Sequence, residues 1–267
     1  SLEAMLETKY SIYTLQRVIN MKVVAFYNLK GGVGKTASAI NIAHLASRSR
    51  LRTLLWDLDP QGAASWYLGS DDMDTFSEKK VLKRKVSPAE LVVPTAYERL
   101  SLIPADFSYR GFDLDIDRFV EKGSALTRTI NPFSETYSLA VLDCPPSLSR
   151  LAEEIFAVAD AIFVPVIPTP LSLRAFQQVR AFMKKKRLGH KHLYPFFTMV
   201  DMRRNLHRNL VENPPAELRR LMLPHIPYSS MIEKMGETRA PVTAFAPGHP
   251  AAQAYQQLWE DIFSIII

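Results

Sequence analysis

The chain has 267 residues, of which 47% are hydrophobic and 22% charged, a globular composition that supports one large α/β core rather than two domains of ordinary size. No run of eighteen apolar residues occurs, which excludes a transmembrane helix, and the single cysteine, Cys144, excludes an intramolecular disulfide. The net charge of +6 is uneven, because Arg174 to Arg220 carries twelve Lys/Arg against three Asp/Glu, leaving the rest of the chain slightly acidic.

Residues 1–20 precede Met21 and are expected to be an extension, a non-native remnant or an added first helix, with a single domain over 21–267. No stretch there has the charged, apolar and small-residue order of an export signal, so a cytoplasmic protein is expected. From Met21 onward, short Val/Ile/Leu/Phe-rich runs alternate with stretches of helical period. Strands are expected at 22–28, 52–59, 100–105, 138–145, 160–168, 193–201 and 222–228, and helices at 36–48, 148–158, 171–187 and 203–221. This alternation implies an α/β fold of three layers, a mainly parallel twisted sheet with helices on both faces. Ligands then bind beyond the carboxyl ends of the strands. The least regular stretch, 70–99, is expected to be a surface insertion carrying a short helix.

Between the first strand and first helix lies "NLKGGVGKTAS", Asn28 to Ser38. Gly31, Gly32 and Gly34 permit positive φ and let backbone N–H groups, including those of Val33 and Ala37, approach an anion. The following helix points its N-terminus at the same place. Lys35 is placed to reach the β and γ phosphates of a nucleotide and Thr36 to offer a hydroxyl to Mg²⁺. A plain glycine-rich turn is the bland alternative. The common phosphate loop has glycine five places before Gly34, but Leu29 stands there and a second lysine, Lys30, follows it.

In this departure "KGGVGKT" resembles the deviant Walker A motif of the ParA/MinD group of ATPases, which have the P-loop NTPase fold. The resemblance implies that Lys30 reaches across an ATP-bound homodimer to the partner's phosphates. "LLWDLDPQGAAS" (54–65) resembles the group's switch I, implying that Asp59 orients the attacking water while Asp57 stands nearer the strand end and the metal shell. "LAVLDCPPSLS" (139–149) resembles the Walker B and switch II segment, with Asp143 on Mg²⁺; Cys144 fills a variable place and reads as packing. One cysteine per chain is too few for the bridging iron–sulfur cluster of the nitrogenase iron protein, a member of the wider superfamily. "HIPYSS" (225–230) lies where relatives carry a base-contacting loop, pointing to Pro227 and Tyr228, although many relatives have arginine in place of this tyrosine.

The basic third holds Lys184, Lys185, Lys186, Arg187, Arg203, Arg204, Arg208, Arg219 and Arg220. Such clusters neutralise phosphates and give salt-sensitive, sequence-independent DNA affinity, and the resemblance to ParA proteins points the same way, with a ParB-like or other cargo-linked activator as partner and the nucleoid as location. Two other readings use the same core: a membrane-surface switch like MinD, or an enzyme that uses ATP to activate a small substrate. The chain ends "YQQLWEDIFSIII", apolar and acidic, and no Lys or Arg follows Arg239. That tail suits a helix packed on the core better than one held at anionic lipid.

Overall fold

The computed structural model describes residues 21–69, 88–105, 125–188, 192–218 and 220–267. Among them are seven strands: β1 (Lys22–Phe26), β2 (Thr53–Asp57), β3 (Val93–Pro94), β4 (Leu100–Ile103), β5 (Leu139–Asp143), β6 (Ala161–Val166) and β7 (Leu193–Phe197). They form one sheet in the order β3-β4-β2-β5-β1-β6-β7, and every pairing is parallel except that of β3 with β4. The two-residue β3 has no signal in the sequence beyond Val92 and Val93, and it closes one edge of the sheet.

Alternate residues of the central strands enter opposite cores. Val23, Ala25, Leu54 and Trp56 face one cluster, packed by α3 (Ala125–Ile130), α4 (Arg150–Val158) and α5 (Pro170–Lys185). Val24, Phe26 and Leu55 face the other, packed by α1 (Lys35–Arg48) and α10 (Pro250–Ile266). The second face is strongly aromatic: Phe26 lies 5.7 Å from Phe163 and 6.3 Å from Phe196, ring centre to ring centre. Each such side chain contributes about 1.5–3 kcal/mol by leaving water.

The C-terminal tail is the core-packing helix expected from its spacing. Leu258, Trp259 and Ile262 of α10 are buried, and the Trp259 indole N–H donates to the Ser49 hydroxyl at 2.9 Å, pinning α10 to the end of α1. Among the described residues no helix is long and apolar enough to cross a membrane.

Two expected elements differ. The helix expected over 203–221 is α6 (Asn205–Glu212) and stops before Asn213-Pro214-Pro215; proline removes a helical N–H and bars helical geometry in the residue before it. The strand expected over 222–228 is reduced to a single bridge, Val200 to Pro227. Its backbone still tracks the open side of β7, with Met222 N–H donating to Pro195 O and Ile226 N–H to Phe197 O, each at 2.9 Å. Pro224 and Pro227 cannot donate to a ladder, so the segment shields the edge without extending it. Four short helices, α2 (Ala63–Tyr67), α7 (Ser230–Glu233), α8 (Met235–Thr238) and α9 (Val242–Phe245), and a 3₁₀ helix (Asn131–Glu135) lie between these elements. Of the insertion expected at 70–99, only a 3₁₀ turn (Pro88–Leu91), β3 and their flanks are described; 70–87 and the N-terminal residues 1–20 lie outside the described residues.

Candidate functional site

Phe26, Asp57 and Asp143 occupy one level of the sheet: Asp143 is the register partner of both Phe26 on β1 and Asp57 on β2. The glycine loop after β1, the Asp57 turn after β2 and Asp143 at the end of β5 therefore leave the sheet together at its carboxyl edge. The loop turns where the sequence requires it to, with Gly32 at φ 69° and Gly34 at φ 87°, the latter as the N-cap of α1. Gly34 is also sterically fixed, since a Cβ there would come within 3.2 Å of the Thr198 hydroxyl after β7.

Lys35 is 6% exposed, and its Nζ makes one long contact of 3.5 Å with the Lys30 carbonyl. The ammonium has three donors and one long hydrogen bond, so it has donors to spare for a further anion beside the Asp143 carboxylate. Gly31 and Gly32 lie exposed beside it, Val33 is buried, and Thr36 and Ala37 are half-buried in the first turn of α1. Lys30 is half-buried.

The two strand-end aspartates differ. Asp57 is fully buried, and its carboxylate accepts from the Ser65 N–H at 2.8 Å, the Ser65 hydroxyl at 2.7 Å and the Asp59 N–H at 3.2 Å. Burial pushes its pKa up to about 6, against those hydrogen bonds. Both Ser65 bonds fall on Oδ2, which holds the turn, while Oδ1 accepts only the Asp59 N–H and keeps a lone pair toward the site. Asp143 is buried with neither carboxylate oxygen in hydrogen-bonding geometry to a described residue. Burial and the Asp57 charge hold its pKa well above the carboxylate range, while the Thr36 hydroxyl and the Lys35 ammonium pull it down. Two orphaned carboxylate oxygens beside a hydroxyl fit a hydrated divalent cation that also contacts a phosphate. Among the described residues no group of three or more His, Cys, Asp or Glu could hold a metal alone.

Asp59 is half-buried and forms a turn, accepting from the Gln61 N–H at 3.0 Å while its carbonyl accepts from the Gly62 N–H at 2.8 Å. Cys144, directly after Asp143, is fully buried and its thiol is pushed up by burial, in keeping with packing. Pro227 is half-buried in the bridge beside Val200, and Tyr228 is 55% exposed, its hydroxyl donating to Glu233 at 3.2 Å. Both follow β7 at the same carboxyl edge as the glycine loop.

The basic residues fall into two groups. Lys184 to Arg187 end α5, whose 16 residues carry them about 20 Å from the edge where it begins. Arg220 lies over the Tyr194 ring at 5.5 Å. Arg203 and Arg204 instead follow β7 at the carboxyl edge, with Arg208 one turn on. Several are already engaged: Lys186 with Glu153 at 2.6 Å, Arg203 with Asp201 at 2.8 Å, and Arg208 with Asn205. Lys184, Lys185, Arg187 and Arg204 show no ion pair with a described residue; Arg219 lies outside the described residues. Sequence reasoning gave no role to Ser65, Thr198 or Asn28. Their hydrogen bonds and close approaches cross between elements, and only the first has a signal, a hydroxyl eight places after Asp57.

A family model described as an AAA domain matches residues 21–193. The chain is 31% identical to the chromosome partitioning protein ParA of Myxococcus xanthus over 72% of this chain and 69% of that protein. It superposes on the ATP complex of a McdA variant from Cyanothece with a TM-score of 0.80 at 18% identity, over 92% of this chain and 98% of that one. A structure described as cobyrinic acid a,c-diamide synthase from Mycobacterium smegmatis, with a bound ATP analogue and magnesium, matches at 26% identity and a TM-score of 0.77, over 91% of this chain and 94% of that one. The chain belongs to the ParA/MinD-type P-loop ATPases.

Proposed function

We propose that the protein is a Mg-ATP-dependent ATPase of the ParA type, which pairs into a homodimer in its ATP state, binds DNA without sequence preference in that state, and positions a cargo. A cargo-linked activating protein of the ParB kind would stimulate hydrolysis and so release it. The observation that carries the reading is the loop itself: a buried Lys35 with donors to spare, in a loop with a second lysine where common phosphate loops have none.

Lys35, the loop amides and Thr36 take the phosphates of the chain's own nucleotide, and Lys30 reaches the partner's, so that pairing and completion of the charge-stabilising site are one event. Thr36 and Asp143 would hold Mg²⁺, which when bound neutralises charge on the β and γ phosphates. Asp57 shapes the turn that presents Asp59, and Asp59 orients the water. Pro227 and Tyr228 flank the base. ATP would lead to DNA, and the acidic, core-packed α10 argues against a membrane surface as the alternative.

The separating experiment is sedimentation with ATP, ADP or no nucleotide. Lys35→Ala is expected to lose nucleotide binding, and Lys30→Ala to bind nucleotide yet stay monomeric. A Lys30→Ala protein that dimerises and turns over normally would contradict the reading and favour an enzyme that activates a small substrate.

A further inference from the structure

Asn28 is fully buried at the start of the loop, and both ends of its amide are used. Its Nδ2 donates to the Pro165 carbonyl of β6 at 2.7 Å, and its Oδ1 accepts from the Lys30 N–H at 3.0 Å. The β1–β6 ladder ends with Tyr27 N–H donating to Phe163 O at 3.0 Å. Had β1 continued, residue 29 would donate next to Pro165 O. The Asn28 amide takes that place, which frees the backbone to leave the sheet, and the same side chain then closes a turn on Lys30. The Lys30 carbonyl in turn receives Lys35 Nζ at 3.5 Å. One side chain thus sets the backbone that carries Lys30.

We propose that Asn28 is the positioning residue of Lys30, bracketing its backbone to β6 so that the lysine points away from its own nucleotide site; this rests on the role given to Lys30 above. The amide is suited to this because it donates and accepts at once; aspartate lacks the donor, and alanine lacks both.

The test compares Asn28→Ala, Asn28→Asp, Lys30→Ala and the Asn28→Ala/Lys30→Ala double variant in the full chain. The readouts are binding of a fluorescent ATP analogue, ATP-dependent dimerisation and hydrolysis. Asn28→Asp is nearly isosteric and leaves no cavity, so it guards against a loss that is only packing. Both Asn28 variants are expected to bind the analogue within about threefold of the parent while ATP-dependent dimer and turnover fall about tenfold or more. In the double variant the loss should equal that of Lys30→Ala alone, since two residues acting through one group are not additive. If the losses add, or if nucleotide binding collapses together with dimerisation in both Asn28 variants, Asn28 maintains the fold and the inference fails while the role of Lys30 stands. Normal dimerisation of Lys30→Ala would remove the role of Lys30 and this inference with it.

Discussion

Asp59 and Asp143 show how surroundings divide work between like residues. Asp143 is buried beside the Thr36 hydroxyl and the Lys35 ammonium, as the proposed cation site requires, whereas Asp59 sits half-open on a turn, where a carboxylate can meet water. Replacing Asp59 by alanine is expected to leave ATP binding intact and to slow hydrolysis about 10²-fold or more, read by phosphate release. Gly34→Ala should be defective for a different reason: its φ of 87° strains an L-residue, and the new Cβ would press on Thr198. Nucleotide affinity is expected to fall, checked by titration of a fluorescent analogue. At this scale the sequence was most informative for residues that act alone in a short loop. The glycine loop and the turn after Asp57 were legible because their residues are neighbours in the chain, whereas Asp143 meets Asp57, Thr36 and Lys35 only through the sheet. Ser65 and Asn28 were not legible, because each bonds to a distant strand or loop.

Elements are coupled through buried polar bonds that leave little trace in hydrophobic periodicity. The Ser65 hydroxyl on α2 donates to Asp57 at 2.7 Å and accepts from the Ala105 N–H beyond β4 at 2.8 Å. Ser65→Ala leaves both without that partner and is expected to destabilise the fold by about 1–3 kcal/mol, measured by denaturant unfolding. On the other face, Asn41 of α1 accepts from the N–H and hydroxyl of Thr243, and His44 Nδ1 lies 2.8 Å from the same hydroxyl. Because that hydroxyl gives its proton to Asn41, His44 is left as the donor. Burial first, and then Arg48, lower the His44 pKa to about 4. The unfolded chain therefore binds the extra proton between about pH 6.5 and 4, so stability from His44 is complete above that window and is lost as pH falls through it, by about 3 kcal/mol in full. The unfolding midpoint should drop on acidification, and less so in His44→Gln; an equal drop in the variant would place the effect elsewhere. Strand and helix positions on the central sheet were readable because both faces are buried and apolar. The chain after β7 was not, since its prolines cut the helix at Glu212 and leave only one bridge where a strand was expected.

Over the whole molecule the positive third is not one surface. Lys184 to Arg187 cluster at the far end of α5, while Arg203 and Arg204 stand at the carboxyl edge, and ion pairs already occupy Lys186 and Arg203. The charge count was legible in the sequence, but this division was not, because it depends on the course of α5 and β7. Replacing Lys184, Lys185 and Arg187 by alanine is expected to weaken DNA binding and to flatten its salt dependence by about 0.9 in log–log slope for each DNA phosphate no longer neutralised, with nucleotide affinity unchanged. The most direct measurement of the account as a whole is DNA binding with ATP, ADP or no nucleotide, titrated with salt and run beside Asp59→Ala. Salt-sensitive binding with ATP alone, kept or strengthened in the variant, is the predicted result; binding indifferent to nucleotide, or none in any state, would contradict it.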